Sequence, residues 1–188
     1  MRADAFLKGF TVRLPEGFSI KPYEAGDEMH WAAIETSVGE FDTQVEAEDY
    51  FQKTYIPYSQ ELERRCFFVI AQDGTYAGTC TAWYMMREDG QTGVVHWFGV
   101  RPEYQGLGIG KALLGKVMQY FEEINAYPVY LHTQTWSHKA IGMYHMAGFG
   151  ILKEESFDNN QNDFTEAMDV LKAAVDAVRL KSWADAAI

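Results

Sequence analysis

The chain has 188 residues, 47% hydrophobic and 15% aromatic, enough to fill one core and most simply a single domain. Its formal net charge of −11 argues against DNA, RNA or anionic membranes as partners and suits a cationic substrate such as an amine. No apolar run reaches membrane-spanning length and Met1-Arg2-Ala3-Asp4-Ala5-Phe6 lacks the apolar segment of a signal peptide, so the expected compartment is the cytoplasm.

Phe10–Leu14 and Phe18–Tyr23 are alternating runs around the turn tripeptide Pro15-Glu16-Gly17, which predicts a first strand or hairpin. Asp27 reads as an N-cap, and Trp31, Ile34 and Val38 recur at helical spacing before Gly39 closes the element, with Glu35 at the edge of that stripe. A second helix is predicted from about Thr43 to Lys53. Pro57 breaks it, and a short turn of helix follows to Arg65. From Cys66 the pattern is β. Cys66–Ala71 runs to Asp73-Gly74, Tyr76–Met86 follows, and Thr92–Val100 comes after the turn Glu88-Asp89-Gly90, so antiparallel strands joined by tight turns are expected. Cys66 and Cys80 fall inside these runs with no metal-ligand spacing and are expected as buried free thiols.

Beyond Val100, Gly106, Gly108 and Gly110 stand at alternate positions just before a helix striped with Ile109, Leu113, Val117, Tyr120, Phe121 and Ile124. Pro128 ends the connection and Val129–Thr135 reads as a strand parallel to the one before the glycines, because a strand, a crossover helix and a strand in sequence give a parallel pair. Ser137 is the expected N-cap of a short helix carrying Ala140, Ile141 and Tyr144, and Gly148-Phe149 returns the chain to a last strand ending near Glu155. After a polar stretch, Phe157–Asp163, Phe164–Trp183 reads as one amphipathic helix. It covers the sheet, or else serves as a lid or as the contact of a homodimer.

Three glycines between strand and helix read as an anion-binding turn, whose free amides and helix dipole suit a pyrophosphate. A P-loop is excluded because Lys111 is followed by Ala112, which lacks the metal-binding hydroxyl. A dinucleotide fingerprint fits poorly: the spacing is G-x-G-x-G and no carboxylate ends the next strand, so NAD(P) chemistry lacks its ribose partner.

Val100-Arg101-Pro102 followed by Gln105-Gly106-Leu107-Gly108-Ile109-Gly110 resembles the acetyl-CoA loop of the GNAT superfamily of N-acetyltransferases. Ser137-x-x-Ala140-Ile141-x-x-Tyr144-x-x-x-Gly148-Phe149 resembles its second motif, with serine where the family often has asparagine. The resemblance is specific from about Val94 to Phe149 and only topological before Cys66. It implies an α+β GNAT fold, a mixed and mostly antiparallel sheet with a splayed parallel strand pair and helices on both faces. The core would span about residues 17–156, and 157–188 would form a C-terminal helical extension.

By the same resemblance, acetyl-CoA is the co-substrate; no His, Cys, Asp and Glu set has metal-ligand spacing, so no metal is expected. Phe98, Gly99 and Val100 would hold the pantetheine arm through their backbone. Gln105, Gly106, Leu107, Gly108, Ile109, Gly110 and Lys111 would hold the pyrophosphate, and Ser137 and Tyr144 would complete the site. Tyr144 takes the role of the acid that protonates the departing thiolate, which a phenol with a pKa near 10 can do. His96 is the candidate base, with an unperturbed pKa near 6.5. Glu35 and the cluster Glu40-Phe41-Asp42 are carboxylate rivals, although from the residues alone each reads as a solvated charge; His132 and His138 are further candidates. Trp83, Tyr84, Trp97 and Trp136 could wall an acceptor site. The implied activity is transfer of an acetyl group to the primary amine of a small-molecule or peptide acceptor. The alternative from another class is a non-catalytic acyl-CoA-binding module.

Overall fold

The computed structural model describes residues 1–10, 13–87, 90–155 and 162–188. Its strands are β1 (Arg2–Ala3), β2 (Phe18–Pro22), β3 (Cys66–Ala71), β4 (Tyr76–Arg87), β5 (Gly90–Val100) and β6 (Val129–Tyr130). They form one sheet in the order β1-β6-β5-β4-β3-β2, parallel between β5 and β6 and antiparallel elsewhere. The helices are α1 (Glu28–Ser37), α2 (Gln44–Thr54), α3 (Ser59–Arg65), α4 (Ile109–Glu123), α5 (His138–Met146), α6 (Phe164–Leu171) and α7 (Ala177–Asp185).

The alternation of apolar residues along β3–β5 supplies two buried faces, each covered by helices. On one face Phe67, Val69, Ala77, Cys80, Ala82 and Val95 pack with Leu113, Leu114, Val117, Met118 and Phe121 of α4. On the other, Cys66, Phe68 and Trp83 pack with Trp31, Ile34, Phe51, Tyr55 and Leu62 from the α1–α3 region. This is the α+β arrangement expected. Both cysteines are buried.

Local chemistry fixes where these helices begin. Thr43 and Glu46 form a reciprocal capping box at the start of α2, satisfying two free amides. Asp27 occupies the N-cap position of α1 but does not cap it. Its carboxylate instead accepts from the Tyr76 hydroxyl (2.6 Å) and the Glu24 amide (2.8 Å) and pairs with Lys21 (2.9 Å), tying the helix to β2 and β4.

Several sequence expectations are corrected. Phe10, Arg13 and Leu14 are not in a strand, and Thr11 and Val12 lie outside the described residues; β2 pairs with β3 rather than closing a hairpin. The turn residues Glu88 and Asp89 also lie outside them. An unforeseen strand, β1, lies against β6. The strand expected over Val129–Thr135 is β6 alone, two residues long, because Leu131 leaves the ladder and its amide bonds to the Met1 carbonyl (3.0 Å). Among the described residues no strand follows Phe149; Gly150 forms a single bridge to Arg2. The predicted long C-terminal helix is two, α6 and α7, the second capped by the Asp176 carboxylate. The break lets Leu171 and Trp183 both reach Ile141 of α5. The polar stretch before α6 lies outside the described residues through Gln161.

Candidate active site

The end of β5 is anchored before the chain turns. The Arg101 amide and guanidinium donate to the carbonyls of Ala77 and Tyr76, both at 2.9 Å, and Gln105 Nε2 donates back to the Val100 carbonyl at 3.0 Å. Between this anchor and α4, Gly106 and Gly108 adopt φ of +79° and +90°, a region costly for residues with a side chain. A Cβ at either would meet nothing within 4 Å, so the backbone there faces open space. Among the described residues, the amides of residues 106–111 make no backbone hydrogen bond; the first from α4 runs from Ala112 to the Gly108 carbonyl. A row of free donors at the positive end of a 15-residue helix fits a diphosphate. Ile109 buries its side chain completely and Gly110 lies against Phe98, with its Cβ position 3.2 Å from Cζ. Lys111 is exposed, its Nζ 5.5 Å from the Phe10 ring centroid, so the cradle depends on backbone rather than on this cation.

Beside the cradle the sheet opens. β5 and β6 pair only at Gly93–Val129 and Val94–Tyr130. From Val95 onward that side of β5 has no strand partner among the described residues, which leaves a wedge whose wide end lies toward the glycine loop.

A bulge shapes the same stretch of β5. Thr79 faces Gly99 and Thr81 faces His96, so the single residue Cys80 stands opposite both Trp97 and Phe98, and Trp97 takes a φ of +47°. The extra residue breaks the alternation. His96 and the next residue, Trp97, both contact the α2 side, through Tyr55 and Tyr50, while Phe98 turns to the α4–α5 side and lies 6.1 Å from Tyr144.

Glu35 corrects the expectation of a solvated charge. It is fully buried, neither carboxylate oxygen has a hydrogen-bond partner among the described residues, and it lies over Gly99. Trp31 and Ile34 dock α1 on the sheet, and Glu35 follows them into the interface where a glycine leaves room. Loss of hydration, with a smaller contribution from the Glu40 charge, pushes its pKa well above the usual carboxylate range.

His96 is held differently. Its Nδ1 shares a 2.6 Å hydrogen bond with the Tyr55 hydroxyl, and desolvation lowers its pKa to about 4. An imidazole of that strength is neutral at pH 7 and takes a proton from an ammonium poorly. Tyr144 is buried between Phe98 and Phe149, both ring centroids 6.1 Å away, and its hydroxyl makes no hydrogen bond among the described residues. Burial raises its pKa, so the phenol keeps its proton. Ser137 ends a 3-10 turn (Thr135–Ser137) at the N-terminus of α5, but its side chain does not cap the helix. His132 and Trp136 are exposed, and His138 is half-buried at the first residue of α5. Trp83 packs edge-on against Tyr55 at 4.9 Å and stacks on Tyr84, so it belongs to the core.

Next to the α1–α2 turn is an open hollow of about 520 Å³ lined by Glu40, Phe41, Asp42, Glu46, Asp49, Tyr50 and Lys53. The sequence singles out the first three of these. Glu46, Asp49 and Tyr50 join them only because α2 folds back on α1, and nothing in their spacing announces it. Among the described residues there is no cluster of His, Cys, Asp and Glu able to hold a metal, and no helix is long and apolar enough to cross a membrane.

The chain is similar to known acetyltransferases. The chain is 27% identical over 140 residues to a mycothiol acetyltransferase of Streptomyces coelicolor, covering 73% of this chain and 44% of that protein. It is 29% identical over 99 residues to a putative ribosomal protein bS18-alanine N-acetyltransferase of Bacillus subtilis, covering 51% of this chain and 63% of the relative. The chain thus spans less than two thirds of either relative. An aminoglycoside N-acetyltransferase crystallised with CoA superposes with a TM-score of 0.61 at 13% identity, over 79% of this chain and 99% of that one, a likeness of fold. Residues 27–149 match the acetyltransferase (GNAT) family, and the chain belongs to it.

Proposed function

We propose that the protein is an acetyl-CoA-dependent N-acetyltransferase that moves the acetyl group directly to a primary amine. The observation that carries this reading is the wedge beside β5, which opens onto the unpaired amides of residues 106–111 and has Glu35 over one face of β5 and Tyr144 against the other. The cofactor fits on the chain's own terms: Gly106 and Gly108 leave a bare cradle for the pyrophosphate, and the side of β5 without a strand partner beyond Val94 leaves backbone groups, those of Phe98 among them, for the pantetheine amides.

When bound, acetyl-CoA supplies the acetyl group as a thioester. Glu35 takes the proton that the amine loses as its nitrogen bonds to the carbonyl carbon. Its raised pKa makes it a stronger base than an ordinary carboxylate, and among the described residues no donor competes for its oxygens. Tyr144, protonated and buried, gives its proton to the sulfur as the C–S bond breaks. Solvent then restores both groups. His96, weakly basic and tied to Tyr55, positions the bulge instead of accepting the proton.

The test is calorimetric titration with acetyl-CoA, CoA and NADPH, followed by a thiol-release assay across amines. Micromolar binding of both CoA species with none of NADPH is expected. Binding of NADPH alone would overturn the loop assignment, and CoA binding with no acetyl transfer to any amine would favour a non-catalytic module.

A further inference from the structure

We infer that Tyr50 and Tyr55 are positioning residues for the transfer, because their hydroxyls hold the bulge of β5 through which Gly99 meets Glu35 and Phe98 meets Tyr144. The inference rests on the acetyltransferase reading and adds to it two residues that act on the site through β5.

The bulge is strained. Trp97 takes a φ of +47°, a conformation that is rare for a bulky residue and persists only where the surroundings over-determine it. Here they do so from α2. The Trp97 indole Nε1 donates to the Tyr50 hydroxyl at 3.1 Å, and the Tyr55 hydroxyl shares its 2.6 Å bond with Nδ1 of the preceding residue, His96. Burial keeps the Tyr55 phenol protonated and the His96 imidazole neutral, so the hydroxyl donates and Nδ1 accepts. Tyr55 has little freedom to follow a moving partner. It is fully buried at the C-cap of α2, its amide donates to the Phe51 carbonyl at 2.9 Å, and its ring stands edge-on to Trp83 and Phe51, with centroids 4.9 and 5.1 Å away.

Register links the bulge to the site. Side chains alternate along a strand, so a shift of one residue sends each to the opposite face. With the extra residue placed opposite Cys80, Phe98 turns toward Tyr144 and Gly99 lies under Glu35. Moving the bulge by one residue along β5 would turn Phe98 away from Tyr144 and change which backbone groups face the side that has no strand partner, where the pantetheine site is proposed. Trp97 also packs against Trp31, Phe41 and Tyr50, but ring contacts tolerate sliding. Hydrogen bonds are directional, so the two hydroxyls select one position of the bulge.

The test uses the full chain carrying Tyr50→Phe, Tyr55→Phe or both, which keep the rings and remove the hydroxyls. Hydrogen exchange across residues 95–100 should quicken at least about tenfold in the double variant, with exchange in β3 within about twofold of wild type. CoA affinity by calorimetry and turnover at saturating acetyl-CoA should each fall about tenfold, while 3′-phosphoadenosine 5′-diphosphate, the part of CoA without pantetheine, binds within about twofold of wild type. His96→Asn offers Oδ1 to the Tyr55 hydroxyl but cannot act as a base, and it should recover most of the turnover lost in His96→Leu. Unchanged exchange, equal losses for CoA and its fragment, or no advantage of asparagine over leucine would each overturn the proposal. Wild-type CoA binding separates the two levels. If the wild type binds CoA and the variants bind it equally well, this inference alone fails. If the wild type does not bind CoA, the acetyltransferase reading fails, and the exchange measurement, which needs no ligand, still decides whether the hydroxyls hold the bulge.

Discussion

Glu35 and Gly99 meet where α1 crosses β5: a Cβ built on Gly99 would lie 3.0 Å from Oε1 of Glu35, and equally 3.0 Å from Cγ2 of Ile34. Gly99 has no left-handed φ, so what it contributes here is space. Gly99→Ala should therefore push α1 outward, costing about 1–3 kcal/mol of stability through overpacking, and should lower turnover by displacing the base. Urea denaturation alongside the thiol-release assay checks both; an alanine variant with native stability and turnover would show that the contact is slack.

Glu35→Gln separates catalysis from stability. With the base removed, turnover should fall about 10²–10⁴-fold, and the limb of the pH profile that rises as Glu35 ionises should vanish. The folded-state pKa lies above that of an ordinary glutamate, about 4.3, so the wild type is penalised only once the pH exceeds that value, and increasingly so up to the folded pKa. The variant should consequently gain on the order of 1 kcal/mol at neutral pH, about 2–4 °C in Tm, and the gain should disappear near pH 4. A stability gain independent of pH would exclude ionisation of Glu35 as its source.

Tyr144→Phe keeps a ring between Phe98 and Phe149 and removes the proton. Turnover should drop by about 10²-fold or more with CoA affinity within about twofold of wild type. A leaving thiol of lower pKa needs the acid less, so activated thioesters should narrow the difference. A deficit that is the same for every leaving group would remove Tyr144 from that step.

Gly108→Val tests the cradle. At φ +90° a β-branched residue is strained by roughly 1–2 kcal/mol, and its side chain would project into the open space in front of the amides. CoA affinity should weaken at least about tenfold while desulfo-pantetheine fragments, which carry no pyrophosphate, are unaffected. Equal losses for both ligands would point to a general collapse of the loop.

What the linear sequence determined is local. The alternation in Cys66–Val100, the stripe of Ile109, Leu113, Val117 and Phe121, and the alternate glycines each specify an element through interactions within a few residues. Those elements, with the Tyr144 motif, carry the family resemblance. Tertiary structure decided the rest. The bulge at Trp97 adds one residue against Cys80 and so turns His96 and Trp97 to one face, though neither residue type signals a positive φ. The short β6 and the unforeseen β1 depend on pairing across most of the chain length. Glu35 lies in a polar-looking helix edge in the sequence, and only the docking of Trp31 and Ile34 on a distant glycine withdraws it from water and raises its pKa. Periodicity registers which residues share a face, but burial and protonation are set by what that face meets.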